Sequence, residues 1–396
     1  MPMLKLEEPD RPTPVGMPIL RLGFRPFYLA AAVFALLAVP YWVQQLAGGA
    51  ALPGVPGVLW HAHEMVYGFA VAVIAGFLLT AVGNWTALPM PRGPRLLALF
   101  AVWCCGRLAL LVSAGPLAAA IDLAFLPVLA LCIARLLWRA KNRRNTFVPV
   151  LLLLLALCNL AFHLGRLGVV QMDPTRPLHG ALYLITVLET LIAGRILPMF
   201  TRNAIPGLQQ TFRPWLERIV PAITVAAFAA IAIAPQWLPG AALCLVAGGL
   251  HLLRLSGWGS WRTRSLPMLW ILHLGYACIG LALTLAAFAV CGFASWVAVY
   301  HLLAVGALAC LVLGMMMRTA LGHTGRMIGA GLAEKTAFGA LVCSLLLRIA
   351  PLLLPLPGNY IGWMAAAAAS WSAAFAIYLV RYLPVLTRPR IDGRDG

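Results

Sequence analysis

Residues 60–82 read WHAHEMVYGFAVAVIAGFLLTAV. Two imidazoles and a carboxylate, His61, His63 and Glu64, stand where an apolar run begins, and Val66 to Val82 carries no charge. About 20 such residues are what a membrane-spanning helix needs. Ionisable groups at a membrane helix are costly unless they pair, ligate a metal or line a polar cavity. The WHAHEM segment is therefore expected to be functional. Imidazole is also the commonest protein ligand for copper and haem iron.

Working outward, similar runs recur along the 396 residues, of which 62% are hydrophobic and only 10% charged. Mean hydropathy is +0.92. A soluble domain carries about 25% charge. The fold class expected is therefore an all-α membrane protein of twelve transmembrane helices. It comprises a tail at 1–23, one membrane domain at 24–385 and a tail at 386–396. The second, fifth and sixth spans are expected at 63–85, 148–166 and 179–200.

The formal charge of +18 would suit a nucleic-acid partner, but its distribution argues against one. Of the 29 basic residues, 23 fall in the tails and the even-numbered loops, while the loops of the other face carry Arg176 alone. This is the positive-inside pattern, and it predicts both termini in the cytoplasm. The polar N-terminus, with Glu7, Glu8 and Asp10, lacks the form of a signal peptide, so the first span is expected to be a retained anchor. The nine cysteines form no CxxC pair and no CxxCH haem-attachment motif, and are expected to pack.

This topology turns sequence position into depth, because a helix rises about 1.5 Å per residue. His61, His63, His163, His179 and His301 fall in the outer third, together with Arg107, Asp122, Arg166 and Arg348. Scattered histidines ordinarily cap helices or bond to carbonyls. Five in one layer are expected to hold a metal or cofactor, with all five as candidate metal ligands. His63, His163, His179, His273 and His301 are the candidate cofactor ligands, and Arg107, Arg166 and Arg348 the candidate cations for haem propionates. His273 stands apart, nearer the cytoplasmic side, aligned with Tyr276. His61 and His63 are about 200° apart if the helix has already started, which gives them two different sites; otherwise the segment before His63 is unwound. Asn159, His163 and Arg166 align on one face.

Glu189 is the one acidic residue expected near mid-membrane, where it should be paired or protonated. Glu64 and Glu189 are the candidate proton carriers. Spans two, six and ten each begin with a histidine (His63, His179, His301) and end in a small-residue turn. This fits three units of four helices.

The strings GFRPF (23–27), WHAHEM (60–65), GFLLTAVGNWT (76–86), NLAFHLG (159–165), GRILPMFTRN (194–203), ILHLGY (271–276), HLLAVGALA (301–309) and RTALGHTGR (318–326) resemble the NnrS family of bacterial polytopic membrane proteins. Gly83 is a departure, at a position where the family commonly carries Pro. The resemblance implies an inner-membrane protein containing non-covalent, b-type haem and copper and tied to nitric oxide and denitrification. It implies a haem/copper protein that binds nitric oxide and converts it, with quinol or another donor as electron source. The rivals are a transporter or metal- or haem-handling protein and a nitric oxide sensor without turnover. The partners expected are nitric oxide and the lipid bilayer, with no nucleic acid.

Overall fold

The computed structural model of the protein describes residues 16–394. Most of the N-terminal tail, residues 1–15, lies outside the described residues. Among the described residues, twelve helices are long and apolar enough to cross a membrane: α1 (Phe24–Leu46), α2 (Gly57–Thr86), α3 (Pro94–Val112), α4 (Pro116–Arg139), α5 (Arg143–Arg166), α6 (Thr175–Ala204), α7 (Pro214–Ile233), α8 (Leu238–Ser256), α9 (Pro267–Val290), α10 (Trp296–Gly322), α11 (Leu332–Leu353) and α12 (Tyr360–Thr387). The chain is a multi-pass membrane protein. Only helices or closed barrels satisfy every backbone group in hydrocarbon, and the described residues contain no strand.

Local chemistry sets many of the helix starts. Proline opens α3, α4, α7 and α9, where its missing N–H has no intrahelical partner in any case. Asn359 accepts the Ile361 N–H at 2.9 Å to cap α12. Before α6, the Thr175 N–H and hydroxyl donate to Asp173, and the N–H above all holds that carboxyl below the usual range.

The helix packing follows a cyclic order. The first helix of each set of four packs on the fourth of the preceding set: α5 on α4, α9 on α8 and α1 on α12. The third and fourth of each set pair as α3 with α4, α7 with α8 and α11 with α12. Helices α2, α9 and α10 are the most buried, and α6 contacts both α2 and α10. Helices α2 and α10 also share a local feature. Each widens into a π-helix immediately after its histidine, at Glu64–Ala70 and Leu302–Ala309. Such widening is uncommon and frequently marks functional positions.

Beyond α12 the chain stays on the bundle. Arg25 donates to the carbonyls of Leu386 and Arg388, both at 2.8 Å, and Arg390 donates to that of His323 at 2.9 Å.

Helices α8 and α9 touch backbone to backbone. A Cβ on Gly248 would lie 2.7 Å from the Gly280 carbonyl oxygen, and a Cβ on Gly280 would lie 3.1 Å from that of Gly248. Close approach through small residues is a main source of helix adhesion in lipid. Gly249 next door has nothing within 4 Å. Gly248→Val is therefore expected to lower the unfolding midpoint of the solubilised protein by the equivalent of about 1–3 kcal/mol, the usual cost of overpacking. Gly249→Val, the same change in propensity, should leave it nearly unmoved. Equal midpoints for the two variants would contradict this contact.

Candidate metal centre

A buried polar cluster joins α2, α3, α4 and α5. His63 and Glu64 come from α2, where the π-helix begins, Arg107 from α3, Asp122 from the first turns of α4, and Asn159, His163 and Arg166 from α5. His63, Glu64, Asp122, Asn159 and His163 are buried. The alignment of Asn159, His163 and Arg166 on one face delivers all three to the same place.

Asp122 is at the centre. Its Oδ2 lies 2.9 Å from His163 Nε2, 3.3 Å from His63 Nε2 and 2.7 Å from the Asn159 amide nitrogen, and its Oδ1 accepts from Arg107. Arg107 also donates to Glu64 Oε1 at 2.8 Å, and that same oxygen is 3.0 Å from His63 Nδ1. His63 Nε2 is 2.9 Å from Asn159 Oδ1. The Phe162 and Tyr67 rings pack on the His63 ring with centroids at 4.7 and 4.8 Å. Arg107 thus bridges two carboxylates that would otherwise repel each other in a medium of low dielectric.

The tautomer of His163 follows from its partners. Arg166 Nη2 is 3.0 Å from His163 Nδ1, and a guanidinium can only donate. Nδ1 therefore accepts, and Nε2 carries the proton that it donates to Asp122. Arg166 donates its other amino group to the Ala114 carbonyl.

One group of metal-ligand type stands out here. The donor atoms of His63, Asp122 and His163 all lie within 4.8 Å of one another, and all three residues are buried. Asp122, which sequence position placed in the layer but not among the candidate ligands, is its hub. A carboxylate two turns into an apolar helix was the available signal.

The remaining outer histidines do not join this cluster. Helix α2 begins at Gly57, six residues before the expected start at 63, so it is already wound at His61. His61 and His63 then diverge into two sites. His61 stacks on Trp42 with ring centroids 5.3 Å apart, and its buried Nδ1 has no hydrogen-bond partner among the described residues. Its charged neighbour Arg348 is shared with His301, whose Nδ1 is 2.8 Å from the Val297 carbonyl oxygen. Arg348 itself donates to the Tyr360 hydroxyl at 3.0 Å. His179 stacks on Tyr300 at 3.9 Å. The single layer of five thus resolves into three separate places.

Towards the arginine-rich end, both His273 nitrogens meet hydroxyls at 2.8 Å, those of Thr201 and Ser260. A second buried cluster escaped the sequence reading. His251, to which the sequence reading gave no role, is fully buried between the Thr224 hydroxyl at 2.8 Å and the Tyr276 hydroxyl at 3.0 Å. Beside it, Arg254 donates to Tyr276 at 2.9 Å and pairs with Glu217. Charge counting had assigned Arg254 to a loop.

Glu189 faces a cavity of about 90 Å³ between α1, α2, α6 and α10, with Tyr28, Phe77 and Leu311 among its walls. Both carboxyl oxygens are buried without a hydrogen-bond partner among the described residues. The paired alternative for Glu189 is thus not what the fold provides.

No curated protein matches the chain. The sequence model described as NnrS protein matches residues 18–390, nearly the whole chain and every helix described above. The twelve-helix bundle and its histidine-bearing helices therefore belong to a member of the NnrS family.

Proposed function

We propose that this protein acts in bacterial nitric oxide metabolism at the inner membrane, with copper held by His63, Asp122 and His163. The observation that carries this reading is the convergence of three buried donor atoms within 4.8 Å. Two imidazoles and a carboxylate make a donor set that copper accepts, as iron and zinc also do, and the family resemblance is what favours copper among them. A copper ion there would supply a site to bind nitric oxide and exchange an electron with it.

The chain's own groups have separate tasks. Ligation through His163 Nε2 requires its proton to leave or to move to Nδ1, where Arg166 now donates. Arg166 is thus the group that must swing aside. Arg107 offsets the charges of Glu64 and Asp122. The second Glu64 oxygen is buried without a hydrogen-bond partner among the described residues, which leaves it free to accept a proton. Reduction of nitric oxide consumes electrons and protons. Quinol or another donor would deliver the electrons, and Glu64 and Glu189 would carry the protons. A haem does not fit this cluster, because aromatic rings pack on His63 and oxygens occupy both its nitrogens.

The same dense hydrogen bonding favours a second reading. In it the cluster is a charge network tying α2 to α5, and the chain handles metal or haem, or senses nitric oxide, without turnover. Metal analysis and electron paramagnetic resonance of the purified protein separate the two. Near-stoichiometric copper is expected in the wild type, falling to near background in His63→Ala, His163→Ala and Asp122→Asn preparations that remain monodisperse. Copper absent from the wild type, or unchanged in all three variants, would leave the network reading.

A further inference from the structure

The cavity beside Glu189 has walls of one chemical kind. Ile74 of α2, Ile185 and Leu188 of α6, and Leu308 and Leu311 of α10 form much of it. Among its lining residues, Tyr28 and Glu189 alone carry side-chain oxygen, and none is a cation. Towards the arginine-rich end, Phe77, Ile192, Ile196 and Met315 close it off from a polar chamber whose wall they also form.

Such a cavity is poorly suited to water. A buried water needs about two to four polar partners, and cavities lined by Leu, Ile and Phe stay dry yet take up benzene or xenon. Here the Glu189 carboxyl offers a polar edge on one side only, and the aliphatic walls offer none. Ions are unsuited too, because an unpaired charge in apolar surroundings is strongly disfavoured, and a carboxyl gives an anion such as nitrite no partner. Size narrows the choice further. A liquid allots about 30 Å³ to each water-sized molecule, so a volume of about 90 Å³ holds molecules of two or three heavy atoms rather than a ring or an acyl chain. What fits is a small, uncharged, apolar molecule. Gases of that kind dissolve more readily in hydrocarbon than in water, and a dry, preformed cavity takes them up without first having to release water.

We propose that this cavity docks an apolar diatomic gas taken from the bilayer, nitric oxide in the reading above. Naming the gas rests on that reading; the docking of a small apolar gas does not. The place is separate from the His63–Asp122–His163 cluster and shares no residue with it. Val73, in its wall, lies ten residues after His63 on α2, roughly 15 Å along the helix. The cavity therefore stores gas inside the bundle and does not ligate it.

Xenon, apolar and uncharged, is the probe. Crystals of the full chain pressurised with xenon should show an anomalous peak between α2, α6 and α10 beside Glu189. Ala193→Leu grows a side chain from the cavity wall and should remove the peak; Val73→Phe fills the space from α2 and should do the same, which guards against one misfolded variant. Glu189→Leu should keep the peak, because the walls and not the acid hold the gas. In nitric oxide consumption, the two filling variants should raise the half-saturating concentration severalfold at an unchanged maximal rate and unchanged copper content. A wild type that takes up xenon but consumes no nitric oxide would overturn the enzyme reading and keep the cavity as a gas site. No xenon at this place in the wild type, ordered water or an acyl chain there instead, or filling variants that lose xenon yet keep the half-saturating concentration would overturn the proposal.

Discussion

Arg107→Leu is expected to be the most damaging single change in the bundle. It would strand Glu64 and Asp122, both buried, beside the neutral Asn159 and two imidazoles. Removing one side of a buried ion pair typically costs about 3–5 kcal/mol, because the other charge is left uncompensated. Most of the variant should be lost as aggregate on extraction, and what survives should show a much lower unfolding midpoint by size-exclusion thermal challenge. Adding Glu64→Gln and Asp122→Asn to the same chain should recover much of the loss, since the stranded charges are then gone. Arg166→Leu supplies the contrast. Its guanidinium serves a carbonyl and a neutral imidazole, so the cost should be nearer about 1–2 kcal/mol. An Arg107→Leu protein as stable as the wild type would mean that its partners are not these carboxylates.

The second large effect is expected at Glu189, and its two readouts should move in opposite directions. Both oxygens are buried against an apolar cavity and have no hydrogen-bond partner among the described residues. A buried polar group without a partner costs about 1–3 kcal/mol. Glu189→Leu removes that cost at similar volume, so the unfolding midpoint should rise. If the carboxyl carries protons to nitric oxide, consumption should fall by about 10²-fold or more, the usual worth of a positioned acid–base group. Glu189→Gln should lose the same activity without the full gain in stability. A Leu variant that consumes nitric oxide at the wild-type rate would remove Glu189 from the chemistry. One that is less stable than the wild type would show that the carboxyl does have a partner.

Much of the architecture was legible in the chain. The twelve apolar runs matched twelve helices, because in hydrocarbon each span must satisfy its own backbone and is read locally. The i, i+4, i+7 alignment of Asn159, His163 and Arg166 was also a local property, and it delivered all three residues to one cluster. The start of α2 was less legible. Gly57 to Trp60 precedes the unbroken apolar run, and the consequence reached the site, since a helix already wound at His61 sends its imidazole to Trp42 and away from His63.

The extent of each span was thus read from sequence alone, because hydropathy marks where each apolar run begins and ends. Direction around the helix, and the identity of the neighbour met there, came only from tertiary packing. Five histidines shared a predicted layer, but the ring of His63 on α2 met His163 on α5 while that of His179 on α6 met Tyr300 on α10. Asp122 became a hub, and Arg107 a bridge between carboxylates, only once α3 and α4 had closed against α2. A buried charge takes its partner from another helix, and no local pattern in one span records which helix that will be.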